Sequence, residues 1–262
     1  MANNIPDKPD SNWMAKIKAK KIQMKMHVSK DIEELSNYTA DWLVAYINEV
    51  LANQDRFTIA LSGGSTPRKL YKLLATDKYK MQIDWECLHV FWGDERYVPF
   101  TDERNNARLA FEELLDHVAI PENQVHIIQT GIEPDASAKA YEEVLHQYFD
   151  GQPHTFDLAL LGLGDNAHTL SLFPGYEVVT ENKKWVSAFY LKEQDMYRIT
   201  LTAEVVNRAA RVAFLVSGGD KAAAVYHVFS SEHDPDLYPA QIIQPFNSEI
   251  YWFADQAAAA DL

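Results

Sequence analysis

FDLALLGLGDNAHTLSLFPG, residues 156–175, passes from an apolar run to a polar turn and then to a Pro-Gly stop. Phe156–Leu161 holds five apolar residues out of six, with no helical spacing and two glycines close behind. That pattern predicts a strand buried on both faces, as in a parallel sheet. Gly162 and Gly164 are then expected to supply the backbone angles that fold the chain sharply off the strand end, presenting Asp165, Asn166 and His168 above it. Thr169–Phe173 has room for about one helical turn before Pro174 and Gly175 end it. A strand that delivers one histidine and two short polar side chains to a loop is how an α/β enzyme places a general base. Taken by its position alone, a single histidine is more often a hydrogen-bonded structural residue; its neighbours here favour the base. Gly162, Gly164 and Ala167 also match the G-x-G-x-x-A spacing of a dinucleotide fingerprint. That motif must open a long helix, which Pro174 forbids, so no nucleotide cofactor is expected.

Working outward, strands and helices alternate. Residues 22–28 (IQMKMHV) predict a first strand, and Ser29 or Asp31 caps a helix to about Asn53 with one apolar face. Phe57–Leu61 (FTIAL) is a second buried strand running into Ser62, Gly63, Gly64, Ser65, Thr66 and Pro67, with a helix from about Pro67 to Ala75. Strand, paired glycines, two hydroxyl residues and a helix start make either an ordinary tight turn or a nest of N–H groups for an anion such as phosphate. The stretch is no Walker loop, lacking Gly-Lys-Ser/Thr, and no nucleophile elbow, because Ala60 stands where the first glycine belongs. Leu88–Trp92 is a third strand, followed by Asp94, Glu95 and Arg96. Three successive charges at a strand end are not expected in a core; they form either a solvated loop or an Arg-carboxylate network beside the site. Beyond them the pattern predicts a helix over Asn105–His117, a short strand over Val125–Ile128 and a helix over Asp135–Tyr148. Two strands over Trp185–Tyr190 and Tyr197–Leu201 follow the opening stretch. Then come a buried strand over Arg211–Val216, the turn Ser217–Lys221, a helix over Ala222–Phe229, a helical turn near Pro239–Ile243 and a last strand over Glu249–Phe253. The economical architecture is a mostly parallel sheet covered by helices on both faces. Of only 10 glycines, eight lie at or beyond strand ends. In an open α/β sheet those ends share one crevice, so four distant loops should meet there.

At 262 residues and 47% hydrophobic, the chain is long enough for one sizeable core. Residues 22–255 are expected to form a single α/β domain, with a flexible basic tail over 1–21 and a short tail over 256–262. A formal charge of −14 opposes contact with nucleic acid or an anionic membrane, so an anionic ligand needs locally concentrated donors. The single cysteine, Cys87, in an apolar run, is read as packing and permits no internal disulfide. With neither an apolar run of membrane length nor a signal-like start, a cytoplasmic location and a monomer or homodimer are expected.

The converging loops would bring together the Ser62–Thr66 nest, the cations Arg96, Arg198 and Lys221, the carboxylates Asp94, Glu95 and Asp165, and the imidazole of His168. The nine histidines show neither His-x-His nor His-Glu-x-x-His, and no metal site is expected. This set suits a small phosphorylated molecule. On LSGGSTP (61–67), GDERYVP (93–99) with Asn105 and Asn106 behind it, GLGxxxHTxSLFPG (162–175), RITLT (198–202) and GGDKA (218–222), the chain resembles the 6-phosphogluconolactonases, from about Asp31 to Asp255. The resemblance implies a three-layer α/β/α sandwich around a mostly parallel, Rossmann-like sheet, of the phosphosugar-isomerase type. It also implies hydrolysis of 6-phospho-D-glucono-1,5-lactone without a cofactor. It further implies that the Ser62 loop, Arg198 and Lys221 hold the phosphate, that Arg96 lines the site and that His168 is the base. The family usually reads Asp-Gly-His where this chain has Asn166, Ala167 and His168, so either Asp165 takes the role of the missing carboxylate or activity is lower. Two rivals are a glucosamine-6-phosphate deaminase, whose Asn-Glu-Pro signature is replaced here by Leu172, Phe173 and Pro174, and a non-catalytic phosphosugar-binding protein.

Overall fold

A computed structural model of the chain describes residues 23–245 and 248–262; the expected basic tail, 1–21, lies outside them. Nine strands are present among the described residues: β1 (Gln23–Ser29), β2 (Phe57–Leu61), β3 (Leu88–Trp92), β4 (Asp94–Arg96), β5 (Leu158–Leu161), β6 (Val186–Leu191), β7 (Met196–Leu201), β8 (Arg211–Val216) and β9 (Glu249–Asp255). The α-helices are α1 (Ile32–Leu51), α2 (Ser65–Leu74), α3 (Asp77–Lys80), α4 (Asn106–Glu113), α5 (Pro134–Phe149), α6 (Ala203–Val206) and α7 (Ala222–Ser230).

Six strands form one sheet in the order β1-β9-β8-β5-β2-β3, and each pairing is parallel. Side chains of a strand alternate between faces, and β9 shows what covers each. Tyr251 and Phe253 meet Trp42 of α1 at ring separations of 4.8 and 4.9 Å. Trp252, between them in sequence, stacks on Phe214 at 3.9 Å and meets Phe229 of α7 at 4.9 Å. Helices therefore cover both faces, and the central strands β2, β5 and β9 are buried along nearly their whole length. Asp31 begins α1 as the sequence suggests, its carboxylate accepting the N–H groups of Glu33 and Glu34.

Some local expectations give way. β6 and β7 do not extend the main sheet; they pair antiparallel with the short strand β4 in a separate sheet, order β4-β7-β6. Gly93 joins the two sheets, its N–H donating to Leu61 and its carbonyl accepting from Leu201, at 2.9 and 2.8 Å. A Cβ there would sit 2.6 Å from Cδ2 of Leu170, so a larger residue would have to displace that side chain. Asp94 and Glu95 are 7% and 0% exposed, so two of the three charges are core after all. Glu95 is accommodated because both its oxygens are taken by the backbone N–H groups of Arg96, Asn106 and Ala107. Val125–Ile128 makes a single parallel bridge to Val90 rather than a strand, and Thr169–Phe173 forms a bridge between Thr169 and Leu172 rather than a helical turn. Cys87 is half-buried in a 3-10 turn beside Asp84, not in the core. The stretch after β9 is held down by Ala258 N–H on Asp255, with Ala258 fully buried. No described helix is long and apolar enough to cross a membrane.

Candidate active site

The turns after β2, β5 and β8, with β4 and β7 of the small sheet, enclose one cavity of about 220 Å³ at the carboxyl edge of the main sheet. Its floor is the turn after β2. Tyr71 of α2 brackets Ser62, its hydroxyl donating to the Ser62 carbonyl at 2.6 Å and accepting the Ser62 N–H at 3.1 Å. Gly64 stands at the N-cap of α2 with φ of 108°, an angle suited to glycine, and no side chain caps the helix. The first-turn N–H groups of Ser65 and Thr66 are left for an anion, with the helix dipole behind them. Gly63 must be glycine for lack of space: a Cβ there would fall 1.8 Å from the side-chain oxygen of Asn106. Asn106 is in turn fixed by donating to the Asp94 carbonyl at 2.9 Å.

The turn after β5 carries His168. Its sharp bend is not made by Gly162 or Gly164; the left-handed residues are Ala167 and Leu170, with φ of 59° and 55°. Gly164 serves by its size, since a Cβ would lie 2.0 Å from Nδ1 of His168. The imidazole stacks on Phe173 at 4.0 Å, and its Nδ1 lies 2.5 Å from Oδ1 of Asn166. Burial lowers the pKa of His168 to about 4, with Asp94 and Asp165 opposing the shift and Arg198 and Lys221 adding to it. The ring is therefore neutral at pH 7.

The small sheet supplies the cations. Arg96 and Arg198 are directly opposite in the β4–β7 register. Arg198 is 3% exposed, lies 3.6 Å from Asp94 and donates to Gln194 at 2.8 Å. Asp94 also accepts from the Ser171 hydroxyl at 2.6 Å. Burial lowers Arg198 to about 10, which leaves it cationic at neutral pH. The buried Nε atoms of Arg96 and Arg198 have no protein partner, the pattern expected where a ligand completes the hydrogen bonds. Lys221 reaches the cavity from the turn after β8, where Asp255 accepts the N–H of Gly218 and bonds the Ser217 hydroxyl.

Of the residues singled out from sequence, Ser62, Gly63, Gly64, Ser65, Thr66, Arg96, His168, Arg198 and Lys221 all line this cavity. Asp165 and Asn166 are exposed and outside its wall; Asn166 contacts the Nδ1 of His168, and no hydrogen bond links Asp165 to the imidazole. Asp94, one of the carboxylates expected on the converging loops, lines it too and pairs with Arg198, as the alternative of an Arg-carboxylate network foresaw; Asn106, named only as part of a motif, also lines it. Tyr71 and Asp255 brace it without any signal that could have found them, because their contacts come from helix packing and from the pairing of β8 with β9.

Residues 30–252 match the family model described as glucosamine-6-phosphate isomerases/6-phosphogluconolactonase. The chain belongs to that family. It is 41% identical over 220 residues to a 6-phosphogluconolactonase of Synechocystis sp., spanning 82% of this chain and 89% of that protein. Among solved structures it resembles the 6-phosphogluconolactonase of Trypanosoma brucei, with a TM-score of 0.81 at 27% identity over 92% of this chain and all of that one. A monomeric glucosamine-6-phosphate deaminase, 21% identical with a TM-score of 0.79 over 91% of this chain and all of that one, shares the family's fold. The stretches that carry the resemblance, 61–67, 93–99, 162–175, 198–202 and 218–222, each contribute residues to the cavity wall.

Proposed function

We propose that the chain hydrolyses 6-phospho-D-glucono-1,5-lactone to 6-phospho-D-gluconate, the lactone-opening step of the oxidative pentose phosphate pathway. The observation that carries this reading is one cavity in which a neutral imidazole shares the wall with a helix N-terminus and two arginines whose buried Nε atoms have no protein partner. The phosphate would lie on the Ser62–Thr66 turn, with Arg96, Arg198 and Lys221 around it. A lactone is an activated ester and needs no covalent nucleophile. His168 would take a proton from water as it attacks C1, backbone N–H groups or a nearby cation would meet the oxyanion, and the imidazolium would return its proton to the departing ring oxygen. Asn166 would hold the imidazole, and Asp165 would act only through its field on it.

The test is consumption of freshly made lactone measured against a buffer blank, since the lactone also opens spontaneously. Turnover no faster than the blank would remove this reading. Release of ammonia from glucosamine 6-phosphate would replace it with the deaminase.

A further inference from the structure

Asn166 makes two contacts with the same residue through the same atom. Its Oδ1 lies 3.2 Å from the backbone N of His168 and 2.5 Å from the ring Nδ1. The two ends of an amide are nearly alike in shape, so an asparagine beside a histidine can present either one. The backbone N–H decides between them, because it can only donate; an amide NH2 in that place would meet it donor to donor. Once the oxygen is selected it can only accept from Nδ1 as well. Nδ1 therefore carries the proton and Nε2 keeps its lone pair. The ring is held in this pose by Phe173, stacked at 4.0 Å, and by Gly164, which leaves just enough room for Nδ1.

We propose that Asn166 is the positioning residue of His168, fixing the tautomer with a bare Nε2 by its double contact and doing so without the charge a carboxylate would bring. The chemistry of this inference rests on the lactonase reading; its spectroscopic test does not. An amide facing histidine elsewhere can impose the opposite tautomer, since its NH2 end suits an unprotonated Nδ1. Here the turn geometry around Ala167 brings the His168 N–H to the same atom and excludes that outcome. The charged groups facing the imidazole are Asp94 from β4, Arg198 from β7, Asp165 from its own turn and Lys221 from the turn after β8, two of each sign. With no carboxylate on Nδ1 to favour the imidazolium, the base stays unprotonated in mildly acidic solution.

Nitrogen-15 spectra of the full chain, with the His168 signals assigned by their loss in His168→Gln, would read this directly. The expected result is a protonated Nδ1 and an unprotonated Nε2 from about pH 8 down to about pH 5. In Asn166→Asp the tautomer should persist while the titration midpoint rises by about 1–3 units, the effect of an opposite charge at that range, and the acid limb of kcat/KM should rise with it. In Asn166→Leu both tautomers should appear, with kcat about tenfold lower or more and KM changed far less. An Nε2-protonated wild type, an unmoved midpoint in Asn166→Asp, or a single unaltered tautomer in Asn166→Leu would each overturn the proposal. A wild type without lactonase turnover but with the expected spectra would overturn the functional reading alone.

Discussion

Ala167 occupies a backbone angle, φ of 59°, that costs an L-residue about 1–2 kcal/mol, yet its methyl is buried to 1% exposure and contributes about 0.8 kcal/mol. Together with the unfolded-state entropy a glycine would add, these terms nearly cancel, which explains how alanine is tolerated at this angle. Ala167→Gly should leave stability within about 1 kcal/mol of wild type, whereas Ala167→Val, branched and too large for the site, should lose about 2 kcal/mol or more in denaturant unfolding. A tolerated valine would show that the turn is not fixed as described. One residue further, His168→Gln should reduce kcat by about a hundredfold or more with KM little changed, measured above the blank. Near-normal turnover would remove His168 from the mechanism. Sequence alone picked out this histidine because a polar turn after a buried strand is visible in the residue pattern. It assigned the bend to Gly162 and Gly164, because positive φ at an alanine leaves no trace in composition.

The pairing of β4 with β7 sets Arg96 opposite Arg198 and Asp94 within 3.6 Å of Arg198, in the cavity wall that His168 shares. Removing Arg198 would leave Asp94 buried without its cation, so Arg198→Ala should cost stability, by about 3–5 kcal/mol, as well as raise KM. Arg198→Lys keeps the charge but loses the planar fork, and should raise KM by about tenfold or more with kcat nearly retained. An unchanged KM in the lysine variant would place the phosphate elsewhere. The strands themselves were legible from their β-rich runs, and most helix ends fell within a few residues of the expected positions. The separate antiparallel sheet was not legible, because an alternating or apolar run reveals a strand but not its neighbour. Burial of Glu95 was equally hidden, as it depends on three N–H groups contributed by its own strand end and by the start of α4.

Across the whole molecule, among the described residues, burial lowers three imidazoles, His89, His126 and His168, the last two to about 4, and His126 has its Nε2 2.8 Å from the Tyr148 hydroxyl. For a histidine lowered on folding, the unfolded chain binds the proton first, so the associated stability is present above about pH 6.5 and is lost as pH falls toward 4. Glu95 shifts the other way, raised to about 7 chiefly by burial, and its contribution is present below about 4.5 and lost as pH rises through 7. The opposing trends are separated by comparison with His126→Gln, which lies outside the cavity wall: the wild type should lose thermal stability relative to this variant between about pH 6.5 and 4. A constant difference across that range would contradict the burial of a neutral His126. By itself the sequence determined the α/β class, the helix-covered parallel sheet and nine of the residues around the cavity, because strand periodicity and the turns that follow strands are local properties of the chain. Only the tertiary structure decided the second sheet, the buried Asp94–Arg198 pair, the bracing by Tyr71 and Asp255 and the contact of Asn166 with His168, because each depends on which distant backbone atoms meet a side chain.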